Sequence, residues 1–126
     1  MDLLLRLPPL LLRGLFVTAL VAIFILAMIP LPEAFSVFSF QDKLEHCASF
    51  VVLMLMGWAG KPRHARPIAI GLVLYGLLIE VCQDQFTLNR VGDPWDLLAD
   101  TVGVLIGLGI CTRLQQAHPA LKAAAA

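Results

Sequence analysis

Four long apolar stretches, separated by short polar ones, set the pattern of this chain. Gly14 to Leu31 carries no charged residue. Leu44 to Gly60 has a single charge, Glu45, with His46 and Ser49 also near its start. The one charge in Pro67 to Gln83 is Glu80, and the one in Leu97 to Thr112 is Asp100. A helix that crosses a bilayer needs about 20 mostly apolar residues. Each stretch is therefore predicted as a span, with bounds near 14–31, 44–60, 67–83 and 97–112. Pro30 and Pro32 end the first, and Pro62 and Pro67 bracket the turn between the second and third. The predicted fold is an all-α membrane protein, a single domain made of a bundle of four transmembrane helices.

Basic residues give the bundle an orientation, because Lys and Arg in short loops mark the cytoplasmic side. With four spans, Arg6, Arg13, Lys61, Arg63, Arg66, Arg113 and Lys122 fall on one side, and only Lys43 and Arg90 on the other. Both termini are expected in the cytoplasm. The first apolar run is longer than the core of a cleaved signal peptide, and no clear A-x-A site follows it. It reads as an uncleaved span, and Ala123 to Ala126 reads as a loose tail.

Composition agrees. The chain has 126 residues, of which 60% are hydrophobic and 14% charged, with a mean hydropathy of +0.87. A soluble domain is about 45–50% apolar and about 25% charged, so there is too little polar surface for a water-soluble globule. Disorder is excluded by the same apolar excess. Nine basic residues balance nine acidic ones, which excludes nucleic-acid binding by bulk attraction. Four spans split that balance. Asp2 is the only acid on the basic side. Eight acids (Glu33, Asp42, Glu45, Glu80, Asp84, Asp93, Asp96 and Asp100) share the outer side with Lys43 and Arg90. Cys47, Cys82 and Cys111 lie in apolar runs without CxxC or zinc-type spacing. They read as three free thiols, with a Cys47–Cys82 bridge as the alternative.

The polar residues cluster at the outer ends of the spans. Residues three and four apart share a helix face. Asp42, His46, Ser49, Leu53 and Gly57 form one stripe; Gly76, Glu80, Gln83 and Asp84 a second; Asp96, Asp100, Gly103 and Gly107 a third. Each stripe joins an ionisable mouth to a seam of small residues, and Gly103–Gly107 has GxxxG spacing, which lets helices approach closely. Turning the stripes inward builds a polar cup open to the outside. Plainer readings stand beside this one. Asp96 is placed to cap the fourth helix, Pro94 and Trp95 suit a turn and an interfacial anchor, and Lys43 and Arg90 could pair with Asp42 and Asp93. Glu80 lies inside an apolar span and needs a partner, for which Arg90 and His46 are the candidates. Ionisable groups within membrane spans mark a functional site by default; a structural ion network is the alternative.

Asp42-Lys43-x-x-His46 opens one apolar helix, Gly76-x-x-x-Glu80-x-x-Gln83 ends the next, Arg90 follows, and Asp96-x-x-Ala99-Asp100-x-x-Gly103 begins the last. This order resembles the VanZ-like family of small bacterial membrane proteins, whose pattern is D-K-x-x-H, G-x-x-x-E-x-x-Q, an Arg and D-x-x-A-N-x-x-G. The resemblance covers residues 42–107, about half the chain. It implies an integral protein of the bacterial cell envelope, in the plasma membrane, from a family linked to teicoplanin-type glycopeptide resistance by its founding example. It implies no known reaction. The family commonly has Asn where this chain has Asp100, and often Tyr where it has Phe50. Asp100 lies one turn from Asp96, and two carboxylates that close resist joint ionisation unless a proton or a cation intervenes.

Three functions fit the polar cup, formed by Asp42, Lys43, His46, Glu80, Gln83, Arg90, Asp96 and Asp100 with Gly76, Gly103 and Gly107 as packing positions. The leading one is a binding or accessory protein. Its partners are membrane lipid and a lipid-linked envelope precursor, with Lys43, His46 and Arg90 meeting an anionic headgroup. The second is an enzyme on a lipid-linked substrate, with His46 and Glu80 or Asp96 as acid and base. A metal-assisted version has hard-cation ligands available, but their spacing matches no standard metal motif, and no metal or cofactor is expected. The third is an ion pathway through Glu80 and Asp100, for which four short spans leave little room. The oligomeric state is not legible.

Overall fold

The computed structural model describes residues 7–29, 40–87 and 92–118. They form four helices, α1 (Pro9–Met28), α2 (Gln41–Gly60), α3 (Ala65–Phe86) and α4 (Pro94–Ala117), with a short 3-10 turn, Pro62–His64, between α2 and α3. The described residues contain no strand. Every helix is longer than the apolar run that predicts it. The polar residues flanking the runs continue the helices, because backbone hydrogen bonding does not require apolar side chains. Pro8 and Pro9 start α1 and Pro94 starts α4, at positions where a missing N–H costs nothing.

Among the described residues, three helical segments are long and apolar enough to cross a membrane: Pro9–Met28, Pro62–Phe86 and Pro94–Ala117. Asp42, Lys43, Glu45 and His46 in the first turns of α2 keep it out of this group. The outer surface is strongly apolar. Leu10, Val17, Ile25, Ile70, Leu74, Val81, Leu98 and Leu105 are all exposed, and no residue of α1 is buried. A helix that is apolar all round belongs in lipid or in a large core.

The helices alternate in direction. α2 and α4 run parallel, since Lys43 and His46 at the start of α2 meet Asp96 and Asp100 at the start of α4. α1 runs opposite to α2, because Arg13 Nε donates to the Gly60 carbonyl (3.1 Å) at the far end. α2 is central and packs on α1, α3 and α4. The core lies along it: Phe50, Leu53, Met54 and Trp58 from α2, Leu72 and Ile79 from α3, Val104 and Cys111 from α4. The three cysteines are free, so the alternative Cys47–Cys82 bridge is not formed.

Glycine sets the α2–α4 distance. A Cβ at Gly107 would come within 2.7 Å of Met54 Cβ, and one at Gly103 would strike the Cys47 carbonyl. The seam expected from GxxxG spacing is therefore a close approach of the α4 backbone to α2, on the Cys47 carbonyl at Gly103 and on the Met54 side chain at Gly107. Gly103→Ala should lower stability by about 1–3 kcal/mol through overpacking. Gly109→Ala, with nothing within 4 Å of an added Cβ, should raise it by up to about 1 kcal/mol. Thermal unfolding of the two variants in detergent checks this pair.

Candidate functional site

The α2–α4 register carries the polar mouth. Lys43 and Asp96 lie 53 positions apart and His46 and Asp100 lie 54 apart, the offset at which Gly107 meets Met54 and Gly103 meets Phe50. Close approach at the glycines therefore also delivers Lys43 and His46 of α2 to two carboxylates of α4. Lys43 Nζ donates to Asp93 Oδ2 (2.5 Å) and to Asp96 Oδ1, and lies 4.0 Å from Asp42. The Lys43 ammonium beside Asp93, helped by the Trp95 amide, holds that carboxyl below the usual aspartate value. His46 Nδ1 is hydrogen-bonded to Asp100 Oδ1 (2.9 Å), and its Nε2 stands 4.0 Å from Asp96 Oδ2. Each of the two neighbouring acids thus has a partner that bears positive charge or donates a proton.

α3 adds Glu80. Its Oε2 accepts the Asp93 backbone N–H (2.7 Å), which ties the end of α3 to the start of α4. Its other oxygen, Oε1, is buried and has no hydrogen-bond partner among the described residues; the same holds for Asp100 Oδ2. Gly76, one turn before Glu80, makes room for Asp100: a Cβ there would lie 2.8 Å from Asp100 Oδ2. Glu80 is 7% exposed and Asp100 0%. Two carboxyl groups buried this far each offer an oxygen without a partner, an arrangement that costs stability unless something completes it.

Most predicted site residues meet. Asp42, Lys43, His46, Glu80, Asp96 and Asp100 gather at one end of the bundle. Two stripe residues, Gln83 and Asp84, stay out of the cup, and the plainer alternatives are met only in part. Asp93, not Asp96, caps α4, with its Oδ1 accepting from Trp95 N (2.9 Å); Asp96 is buried against Lys43 instead. Lys43 takes Asp93 and Asp96 more closely than Asp42. Gln83 is buried, but its Nε2 donates to the Ala27 carbonyl (3.0 Å), satisfying the end of α1 rather than the cup. Asp84 is exposed and accepts from Gln85. Arg90 lies outside the described residues.

α1 matters more than its sequence shows. Besides the bonds from Arg13 and Gln83, Tyr75 Oη donates to the Leu20 carbonyl (2.6 Å). Main-chain acceptors leave no trace in a residue pattern, so these contacts had no signal. α1 also walls a cavity of about 300 Å³. Ile23, Leu26 and Ala27 of α1, Phe50 of α2 and Ile79 of α3 form its apolar side, and Asp42, Glu45, His46 and Ser49 of α2 its polar side.

Among the described residues, two groups of side chains have ligand atoms all within 4.8 Å of one another: Asp42, His46 and Asp96, and His46, Glu80 and Asp100. Their ligands come from two helices in the first case and three in the second, which is why linear spacing does not reveal a metal motif.

Lys43 is the cation on which Asp93 and Asp96 depend, so Lys43→Met should lower stability by roughly 2 kcal/mol or more, while Lys43→Arg keeps most of it. Asp84→Asn, at an exposed carboxylate, should change stability by less than about 0.5 kcal/mol. Unfolding midpoints of the three variants give the comparison.

The chain matches no curated protein and no solved structure. A family model described as VanZ/LLP1 matches residues 16–115, which takes in α2 and α3, nearly all of α4 and about two thirds of α1. On that match, over most of its length and across all the motifs that form the polar mouth, the chain belongs to the VanZ/LLP1 family.

Proposed function

We propose that this protein is an accessory, lipid-binding protein of the bacterial cell envelope. It sits in the plasma membrane with four spans, α2 included, and both termini in the cytoplasm. Its polar mouth faces outward and takes the anionic headgroup of a membrane lipid or a lipid-linked envelope precursor. The observation that carries this reading is the cavity beside His46. It has a polar side at the mouth and an apolar side along α1 and α3, the two chemistries of a single amphiphile. Members of the family are linked to glycopeptide resistance, and a protein that holds an envelope precursor would have a route to that effect.

The charge pattern adds a condition. Lys43 is already held by Asp93 and Asp96, and Asp42 and Glu45 line the cavity. An anionic headgroup therefore needs a further positive charge, from Arg90 or from a bound cation. The enzyme reading has its own support in the His46–Asp100 pair beside Glu80, a set of acid and base groups of which His46 lines the cavity.

Lipid that co-purifies with the protein, identified by mass spectrometry, tests the binding role. A single anionic class should be retained by wild type. It should fall about tenfold or more in Arg90→Ala and in Ile23→Trp, which fills the cavity. Wild-type retention in both variants would overturn the reading. Reporter fusions test the topology: a periplasm-active reporter should work when inserted between α3 and α4 and fail in the turn Pro62–His64.

A further inference from the structure

The geometry points to a divalent transition-metal site formed by His46 of α2, Glu80 of α3 and Asp100 of α4, of which His46 also lines the cavity. Ligand atoms from the three side chains lie within 4.8 Å of one another. Proximity of acids alone would not make a site. Here two further oxygens carry the argument: Glu80 Oε1 and Asp100 Oδ2 are buried, on side chains 7% and 0% exposed, without hydrogen-bond partners among the described residues. A cation is what such atoms lack.

The dimensions fit a small ion. His46 Nδ1 and Asp100 Oδ1 are 2.9 Å apart. Neighbouring ligands of an ion with bonds of about 2.1 Å lie roughly 3 Å apart at a right angle. The hydrogen bond in that gap would be replaced by two metal bonds, and its proton would go to bulk water. Two supports already orient the ligands. Glu80 Oε2 is fixed by the Asp93 amide, and Asp96 stands beside His46 Nε2, where outer carboxylates steady a ligating imidazole.

The donor set selects the ion class. One imidazole nitrogen with two carboxylates suits Zn²⁺ or Mn²⁺; Ca²⁺ takes six to eight oxygens, and Mg²⁺ prefers oxygen and water. Two carboxylates neutralise the double charge. Three protein ligands leave room for oxygens of a phosphate headgroup, so the ion would make an acidic mouth receptive to an anion. This deepens the lipid-binding reading and supplies its missing positive charge. Metal affinity is measured without added lipid, so the two readings can fail separately.

Full-length protein in detergent, stripped with EDTA, is titrated with ZnCl₂ or MnCl₂ and its bound metal counted by mass spectrometry. Wild type should take up about one ion per chain and gain thermal stability, and excess MgCl₂ or CaCl₂ should not compete. Glu80→Gln and Asp100→Asn should weaken binding more than about tenfold, and Asp42→Asn less than about twofold. No stoichiometric ion and no thermal gain in wild type would overturn the site. So would loss in Asp42→Asn with full binding in Glu80→Gln, which assigns the ion to the other triad. If an amide variant does not fold, the wild-type and Asp42→Asn titrations still decide.

Discussion

Close approach of α2 and α4 is the constraint on which the rest depends. Parallel helices joined by glycines can pack backbone on side chain, as Gly107 does on Met54 and Gly103 on Phe50 and the Cys47 carbonyl. Interiors packed this tightly do not slide. A one-residue slip would turn the glycines off the seam and Asp96 and Asp100 off their partners together. The apolar half of the seam therefore holds the polar half in place. In a membrane, where apolar burial gives helices little reason to associate, such packing and the bonds beside it do most of the holding.

The polar mouth then follows from accounting for charge in a low-dielectric setting. Asp93 and Asp96 share Lys43, and Asp100 takes His46. Glu80 receives one backbone N–H and keeps one oxygen unmet. Where the family commonly has Asn, this chain has Asp100, which exchanges an amide donor for a second acceptor at a position with no exposure. An amide there could donate to Glu80; a carboxylate cannot. Asp100 thus adds a buried acceptor beside the unpartnered oxygen of Glu80.

Much of this was legible in the sequence. Apolar run lengths give four helices, and the periods of Asp96, Asp100, Gly103 and Gly107 give the buried face of α4, all four of which are buried. Stripe logic also placed His46, Glu80 and Asp100 together. It failed where a side chain finds a main-chain partner. Gln83 shares the Glu80 face yet serves the end of α1. Asp96 keeps its stripe position on the buried face, and it is the plainer capping alternative that falls, since Asp93 caps α4. Which of two nearby carboxylates caps and which is buried depends on where the chain enters the helix, and Pro94 moves that entry forward. The three-helix ligand group was beyond any linear motif, since its members join only when the bundle closes.

The most direct test is a double-mutant cycle between His46 and Asp100 in metal-free detergent, using His46→Gln and Asp100→Asn. If the parallel register holds these side chains together, the two losses should be non-additive by about 1–3 kcal/mol. Losses that add within about 0.5 kcal/mol would mean that the two residues do not meet, and would contradict both the register and the site built on it.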